Sequence, residues 1–430
     1  MWKPNFYVLV ISMSALMLAA CGESEGDSPE ATASLSNDPI EIEYWYAFGD
    51  KIGENNEALV EQFNEVQDDI IVTAHYQGNY EDLHSQTQAS IAAGNAPHVT
   101  LNEIASMGAF AEAGMTEDLT SYIEEDNIDL NDFVEGLMGN SYIGEGIYGL
   151  PYLRSTPILY VNKTMMEEAG LDSSGPETWE EFEEYARALT NDEGGVGMTM
   201  PVNIWFYEAF VKQSGGSVLN DDETEATFNE APGVAAVEFI QRMYNEGTIK
   251  VPTGDEAGQV ALQDFTNQNA GMVFSSTADL TNYLSIAEEA GFEVNTAFMP
   301  QNEQYGTPTG GANLVMVSGH PDEEKKAAWE FIKWMTEPEQ TVTASTNTGY
   351  LPMRESAIES EEMQSLYEQV PQYKVAVDQL EYAGPRPLNA NYAEAQNILN
   401  DAITSALIED NQTPQEALDE AAERINSLLK

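Results

Sequence analysis

Residues that could bind a cofactor are present, but their surroundings argue against that chemistry. The run Gly144-Glu-Gly-Ile-Tyr-Gly149 has the glycine spacing of a dinucleotide-binding loop. That loop requires a helix to begin directly after it, because the backbone N–H groups of the first helical turn hold the pyrophosphate. Here Leu150-Pro151 follows, and proline disfavours such a helix. We therefore predict a hairpin turn at this position and no cofactor.

The remaining reactive side chains also fail to form a recognisable catalytic or metal-binding pattern. The four histidines, His75, His84, His98 and His320, lack the spacing of a zinc site. The sequence contains neither a GxSxG nucleophile motif nor a phosphate-binding loop, and carboxylates are too numerous for one pair to stand out for glycoside hydrolysis. We predict no catalytic residue and no metal. The alternative is a secreted lipoprotein glycosidase or another carbohydrate-active enzyme.

The one cysteine offers a different chemistry. Lys3 precedes an uncharged stretch, 6–20, that ends in Leu18-Ala-Ala-Cys21-Gly22. A basic end, an apolar segment and small residues before a cleavage point are typical of an export signal. The segment resembles the lipobox of bacterial lipoproteins, which implies a lipid-bearing thiol at Cys21, although a buried structural cysteine is the alternative. We predict a signal peptide at 1–21 and an anchor on the outer face of the cytoplasmic membrane.

The composition is strongly acidic, with 74 Asp and Glu against 16 Lys and Arg, which gives a formal net charge of −58. Such a surface repels nucleic acid and anionic lipid headgroups, so neither is expected as a partner. Mutual repulsion also destabilises the compact state unless salt screens it, and the screening length falls to about 3 Å at 1 M salt. The acidic, halophilic type of surface therefore predicts a salt-rich habitat, although a coat that serves only solubility remains an alternative.

Hydrophobic patterning predicts an α/β protein. Residues 22–38 are rich in Ser, Glu, Asp, Ala and Gly and are expected to form a flexible tether. Beyond it, strand-like runs at 40–46, 70–76 and 98–101 alternate with helical stretches at 54–66, 80–93 and 107–114. Further helices are predicted at 180–189, 233–246, 322–335 and 413–429, with Thr178 and Thr413 as N-caps. A chain of 430 residues usually divides into two lobes.

Small polar and aromatic residues collect at the ends of these elements, where binding sites form. Each has a structural alternative, because aromatic residues usually pack in cores and glycine pairs usually form turns. Together they form a candidate site: Tyr80, Glu103, Arg154, Ser155, Trp205, Ser275, Ser276, Gly311 and Tyr350.

The order of these clusters resembles the extracellular solute-binding proteins of ABC importers, and within them the glycerol-3-phosphate-binding branch of the carbohydrate-uptake family. The resemblance extends from about residue 40 to the C-terminus. It is carried by segments such as Gly78-Asn-Tyr-Glu81, Ser155-Thr-Pro-Ile-Leu-Tyr-Val-Asn-Lys163, Gly310-Gly-Ala312, Thr348-Gly-Tyr-Leu-Pro352 and Thr413-Pro-Gln-Glu-Ala-Leu418.

The resemblance implies a type II periplasmic-binding-protein fold, with a ligand cleft between two α/β lobes. We expect lobe 1 to comprise 39–152 and 275–335, and lobe 2 to comprise 153–274 and 336–430. The nine candidate residues and Arg386 would then bind the ligand. The implied partners are a small polyol, glycerophosphate or oligosaccharide and the transmembrane subunits of an ABC permease.

One position departs from the branch. Its phosphate-binding arginine falls at Asn389 when the C-terminal segments are aligned, and Arg154 and Arg386 are the nearest basic residues. An amide supplies neither the charge nor the two-pronged geometry of a guanidinium. Glycerol-3-phosphate, a glycerophosphodiester and a neutral oligosaccharide therefore all remain candidate solutes.

The charge balance generates a first testable prediction. The melting temperature of the purified protein should rise as sodium chloride is increased from 0.1 to 2 M, because screening reduces repulsion among the carboxylates. Differential scanning calorimetry at constant pH measures this. A melting temperature that stays level or falls across the series would contradict adaptation to salt.

Overall fold

The computed structural model describes residues 38–254, 256–409 and 412–429. Cys21, the signal segment and nearly all of the expected tether lie outside these residues. The strands are β1 Ile40–Tyr46, β2 Ile70–Tyr76, β3 Val99–Glu103, β4 Tyr142–Ile143, β5 Gly146–Ile147, β6 Leu150–Ser155, β7 Pro157–Asn162, β8 Val196–Thr199, β9 Ile249–Lys250, β10 Ala270–Ser276, β11 Val294–Ala297, β12 Thr307–Pro308, β13 Gly310–Met316 and β14 Ala383–Gly384.

The helices alternate with the strands in the first part of the chain and dominate the last part. They are α1 Asp50–Val66, α2 Tyr80–Ala93, α3 Met107–Glu112, α4 Thr120–Asp126, α5 Glu135–Met138, α6 Lys163–Glu168, α7 Trp179–Leu189, α8 Ile204–Gln213, α9 Ala231–Glu246, α10 Ala257–Thr266, α11 Leu280–Ala290, α12 Asp322–Met335, α13 Pro338–Thr348, α14 Glu355–Ile358, α15 Glu361–Gln369, α16 Pro371–Asp378, α17 Tyr392–Thr404 and α18 Pro414–Leu428.

Two five-stranded sheets organise the molecule, which confirms the α/β prediction. The first has the order β2-β1-β3-β13-β6 and the second the order β11-β7-β10-β8-β9. In each sheet parallel and antiparallel pairs are mixed, since β13 runs antiparallel to β3 and β7 runs antiparallel to β10. The chain passes from β6 of the first sheet to β7 of the second through a single residue, Thr156.

The predicted helix boundaries follow from capping chemistry. At α2, the Asn79 side chain accepts from the Asp82 N–H and the Asp82 carboxylate accepts in return, while Gly94 ends the helix with a left-handed φ of 76°. Thr413 and Glu416 form the same reciprocal pair at α18. Both of these helices were expected from sequence, and such side-chain caps satisfy N–H groups that have no partner in the first turn.

Two apolar cores form, one that includes the first sheet and one face of the second, and one on the other face of the second sheet. Ile42, Leu101 and Leu314 are buried in the first, where α12 packs against β1. In the second, Phe274 packs against the rings of Phe182, Phe206 and Phe210 with centroids 5.5–5.9 Å apart. Burial of such aromatic surfaces contributes to the stability of the protein. The sequence has one cysteine, so no disulfide can form within the chain.

Two elements depart from the expected lobe boundaries. Strand β11 pairs with β7 in the second sheet, although 275–335 was assigned to lobe 1. Helix α13 packs against α1 beside the first sheet, although 336–430 was assigned to lobe 2. The reason is that the chain returns to the first sheet only after β11 and reaches the second sheet again at α16, which packs against β11, so both crossings occur later than the sequence suggested. The remaining boundaries stay a prediction.

The glycine pair that begins β13 has a strict steric role. Gly311 has φ +86°, and a Cβ there would lie 2.0 Å from the carbonyl oxygen of Leu153. The pairing register of β13 with β6 shifts from Gly311 to Ala312, which indicates a β-bulge. Only glycine combines this backbone angle with so close a neighbour.

One smaller expectation is also settled by the fold. The glycine-rich run forms a hairpin, in which Tyr142–Ile143 pairs antiparallel with Gly146–Ile147, and this confirms the prediction of a turn. Among the described residues, no helix is both long enough and apolar enough to cross a lipid bilayer.

His84 on α2 joins that helix to the strand that ends in Glu103. Its Nε2 accepts a hydrogen bond from the backbone N–H of Glu103 at 3.3 Å, and its ring packs 5.1 Å from that of Phe110. A ring nitrogen that accepts is unprotonated, so this imidazole is neutral. Burial lowers the pKa of His84 from 6.5 to about 4.

This geometry predicts acid sensitivity. Between pH 6.5 and pH 4 the unfolded chain binds a proton at His84 that the native state does not bind, so the free energy of unfolding falls as pH falls, by up to about 3 kcal/mol. Glutamine keeps an acceptor near the position of Nε2 and does not titrate. Urea unfolding at pH 7.5 and 4.5 should therefore show the wild type losing about 2–3 kcal/mol more than His84→Gln. Equal losses in the two proteins would contradict the assignment.

Candidate functional site

A cleft of about 510 Å³ opens where strand ends of both sheets face each other. The first sheet contributes residues at the end of β3 and β6 and at the start of β13, and the second contributes the end of β10. Helices α8 and α17 complete the wall. The cleft is lined by Phe48, Ile52, Tyr80, Glu103, Ser155, Val202, Asn203, Ile204, Trp205, Ser276, Ala278, Asp279, Gly310, Gly311, Tyr350, Arg386, Gln396, Asn397 and Asn400.

Most of the residues selected from sequence meet in this cleft although they are far apart in the chain. Those that line it are Tyr80, Glu103, Ser155, Trp205, Ser276, Gly311, Tyr350 and Arg386. Their contact with a ligand remains a prediction, but their convergence on one cavity is a property of the fold.

Two selected residues lie outside the lining. Arg154 is fully buried, and its guanidinium donates to Gly310 O, Leu137 O, Asn313 Oδ1 and Thr309 Oγ1 at 2.6–3.0 Å. Ser275 donates its hydroxyl to Asp279 Oδ2 at 2.5 Å. The expectation that these two side chains face the cleft is therefore wrong, because successive residues of a strand point to opposite faces.

Asn389 also lies away from the cleft lining. Its backbone N–H and side-chain amide donate to the Glu223 carboxylate and backbone carbonyl, respectively. The position aligned with the phosphate-binding arginine thus holds a loop together. The basic residue that does reach the cleft is Arg386, three positions earlier.

Arg386 is held in a dense ionic network. Its Nε and Nη2 donate to the two oxygens of Glu208 at 2.8–3.3 Å, and its Nη1 donates to Glu103 Oε1 at 3.1 Å. Nη2 also donates to Gln396 Oε1 at 2.8 Å. Burial alone would lower the pKa of this guanidinium, but Glu208 and Glu103 more than offset that effect and the net pKa lies above its ordinary value.

The same network fixes Glu103. Its Oε2 accepts the backbone N–H of Ala105 at 3.0 Å while Oε1 faces Arg386. Burial raises the pKa of Glu103, and the nearby Arg386 charge and the backbone hydrogen bond partly counter that rise. A carboxylate held this way presents acceptor oxygens to the cleft at a fixed position.

Lys212 lies beyond Glu208, one turn later on α8. Burial lowers the pKa of its ammonium group and the Glu208 charge opposes that shift. The charges of Glu103, Arg386, Glu208 and Lys212 thus alternate in sign and balance. The deepest polar part of the site consequently carries no net positive charge.

Aromatic side chains form the apolar surfaces of the cleft. Trp205 lies in the first turn of α8, which Asn203 caps, and its Nε1 donates to Thr309 O at 3.0 Å. A Cβ at Gly310 would lie 2.5 Å from the Trp205 ring, so glycine there allows the indole to lie against the strand. On another wall, Phe48 packs edge-on against Tyr80 with centroids 4.8 Å apart.

Two polar groups near these rings are suited to a hydroxylated ligand. Burial raises the pKa of Asp279, whose carboxylate accepts from Ser275. The Tyr80 hydroxyl lies close to Tyr350 but makes no hydrogen bond of good geometry within the described residues. A buried polar group without a partner favours a bound molecule that supplies one.

Sequence reasoning missed part of the wall. Phe48, Asp279 and the amides of α17, Gln396, Asn397 and Asn400, were not selected. A usable signal existed for α17, since three amide residues within five positions follow its helical spacing and would share one face. For Glu208, a buried acid outside the lining, the sequence offered no signal.

One trio of potential metal ligands converges within the described residues: His98, His320 and Glu324. The two rings stack with centroids 4.1 Å apart, which places a shared ion out of both ring planes. His98 Nδ1 also accepts the Glu43 N–H, so its Nε2 carries the proton that faces Glu324 at 3.1 Å. These contacts favour a hydrogen-bonded cluster over a metal centre.

Comparisons with protein families and with individual proteins both find binding proteins of small solutes. Residues 58–371 match the model of a family described as bacterial extracellular solute-binding protein. The sn-glycerol-3-phosphate-binding periplasmic protein of Pectobacterium atrosepticum is 27% identical over 421 residues, covering 91% of each chain.

Two solved structures share the fold. The cyclic alpha-maltosyl-1,6-maltose binding protein from Arthrobacter globiformis has a TM-score of 0.79 at 24% identity, with 91% of this chain and 99% of that chain covered. UgpB from Mycobacterium tuberculosis, solved in complex with glycerophosphocholine, has a TM-score of 0.79 at 22% identity, with 90% and 98% covered.

Proposed function

The chain belongs to the bacterial extracellular solute-binding proteins, and on that premise we propose that its cleft binds a neutral, polyhydroxylated solute, a sugar, oligosaccharide or polyol. The protein is the solute-binding component of an ABC importer. The observation that carries the choice of a neutral solute is the state of Arg386, the one basic residue among the described cleft-lining residues, which two carboxylates already neutralise.

Electrostatics disfavour an anion at this site. A phosphate would have to compete with Glu208 and Glu103 for the guanidinium, and it would approach Asp279 as well. A buried, two-pronged arginine–carboxylate pair is difficult to displace because the released carboxylate would be left without a partner. The relatives named for glycerol-3-phosphate or solved with glycerophosphocholine keep a phosphorylated ligand as the second candidate.

The rest of the lining suits a sugar. Hydroxyl groups need both donors and acceptors when they leave water, and Glu103, Ser155, Ser276, Asn397 and Asn400 supply them. The apolar face of a pyranose ring would lie on an aromatic side chain, and a volume of about 510 Å³ accommodates a small saccharide. Because the wall is drawn from both sheets, a ligand that touches both would stabilise a closed arrangement.

We further propose that the protein is anchored through Cys21 outside the cytoplasmic membrane, delivers its solute unchanged to a permease and has no enzymatic activity. The extracellular family supports export, and its members are binding proteins. The rival, a secreted glycosidase, would have to place two carboxylates around a glycosidic bond. In this cleft Glu103 is engaged by Arg386 and Asp279 by Ser275.

A matched ligand screen tests the proposal. Calorimetric titration in 1 M sodium chloride with maltose, maltotriose, ribitol, glycerol-3-phosphate and glycerophosphocholine should give saturable, one-to-one binding for an uncharged compound and at least tenfold weaker binding for both phosphates. Chromatography should recover the bound compound intact. Preferred binding of a phosphate would contradict the neutral-solute proposal, and recovery of cleaved product would support the enzyme.

Trp205 provides the second test. Trp205→Ala should weaken binding of the identified solute at least tenfold, equivalent to about 1.4 kcal/mol, because the ligand loses its aromatic contact surface. Trp45→Ala is the matched control, since Trp45 is half-buried on β1 outside the cleft lining. Cooperative thermal unfolding of both variants would exclude global disruption. Unchanged affinity in Trp205→Ala would remove this residue from the ligand contacts.

A further inference from the structure

We propose that Glu208, which does not line the cleft, determines the charge selectivity of the site by occupying Arg386 and so withholding it from anionic solutes. This inference rests on the proposed function, because it explains why a cleft that contains an arginine would accept neutral molecules. It assigns a specificity role to a residue one layer behind the ligand-facing surface.

Glu208 lies on α8, the helix that also carries Trp205, and it contacts Arg386. It follows Trp205 by three residues, so the two side chains share a face of the helix. Its side chain is 2% exposed, and its oxygens receive Arg386 Nε and Nη2 together with the Tyr392 hydroxyl at 2.7 Å. The Nε–Nη2 edge of Arg386, which could bind a phosphate in two-pronged fashion, is therefore already occupied by Glu208.

The arrangement leaves little of the guanidinium for a solute. An arginine has five N–H groups. The contacts with Glu208, Gln396 and Glu103 engage four of them, which leaves one N–H on Nη1. One donor can serve a hydroxyl oxygen, but it does not provide the paired geometry that distinguishes phosphate recognition.

Neutralising Glu208 would reverse the local balance of charge. Glu103, Arg386, Glu208 and Lys212 together sum to zero when all are ionised, and without the Glu208 charge the sum becomes +1. Lys212 lies one turn further along α8, and its ammonium group makes no hydrogen bond or ion pair within the described residues. Loss of the Glu208 carboxylate thus leaves the buried Arg386 paired with Glu103 alone and the half-buried Lys212 without its nearest carboxylate, which favours a bound anion.

The decisive variant is Glu208→Gln, which is nearly isosteric and keeps an acceptor oxygen for Arg386. Titration of wild type and variant with glycerol-3-phosphate and with inorganic phosphate, in the same buffer and salt, should show at least tenfold tighter anion binding in the variant. Affinity for the neutral solute should change less than fivefold. Glu168→Gln, an equal charge change at an exposed position on α6, should show no gain.

The double variant Glu103→Gln/Glu208→Gln should bind the anions more tightly still, because both carboxylates that neutralise Arg386 are gone. A folded Glu208→Gln protein that binds neutral solute but gains no anion affinity would overturn the inference. If the variant folds poorly, its melting temperature is compared in sulfate, phosphate and chloride at equal ionic strength. Rescue in phosphate or sulfate, relative to chloride, that exceeds the shift the same salts give the wild type supports the inference, and no such excess overturns it.

Failure of this inference is distinguishable from failure of the proposed function. A wild-type protein that already binds glycerol-3-phosphate in preference to every neutral compound refutes the proposed function and with it the role of Glu208. A wild-type protein that prefers a neutral compound, combined with a Glu208→Gln variant of unchanged selectivity, refutes only the role of Glu208.

Discussion

The buried interaction of Arg386 with Glu103 and Glu208 is the constraint on which the architecture of the site depends. The arginine lies just after β14. Glu103 ends a strand of the first sheet, whereas Glu208 belongs to a helix packed on the second. A single guanidinium therefore couples three distant parts of the sequence, and it also decides which charges the cleft presents. Buried ion pairs contribute little net stability, but a member left without any polar partner is costly, so each position must keep a group that can pair with Arg386.

Much of the fold was predictable because its signals are local. The helix at α2 has both of its caps written in the sequence, Asn79 with Asp82 at one end and Gly94 at the other. The strand at 40–46 alternates in the expected way. The α/β class followed from such elements and the two lobes from the chain length, and the fold shared with the solved structures agrees with both. The lobe boundaries were harder, since β11 pairs with a strand more than a hundred residues earlier and nothing local in 294–297 records that pairing.

For the candidate site, sequence-based prediction succeeded for some residues and failed for others. Residues at strand ends, such as Glu103 and Ser155, were identified from sequence, and the structure brings them to one cavity. Adjacent pairs were the source of error. Arg154 and Ser155 occupy successive positions of β6, as do Ser275 and Ser276 of β10, so only one of each pair can face the cleft. Applying the two-residue period would have removed one member of each pair. The role of Glu208 was inaccessible, because a buried acid becomes informative only when its partner is known.

The place of β13 in the first sheet has a consequence for how the chain reaches its native state. This strand, residues 310–316, lies between β3 and β6 and pairs with both. Each pairing joins segments that are far apart in the sequence. Until that stretch has left the ribosome, the inner edges of β3 and β6 have no neighbour to complete them. Contacts of such long range slow folding, since a large loop must close before they form. A nascent chain that ends before β13 therefore cannot complete the first sheet. Passage through a secretion channel requires a chain that is not yet fully folded.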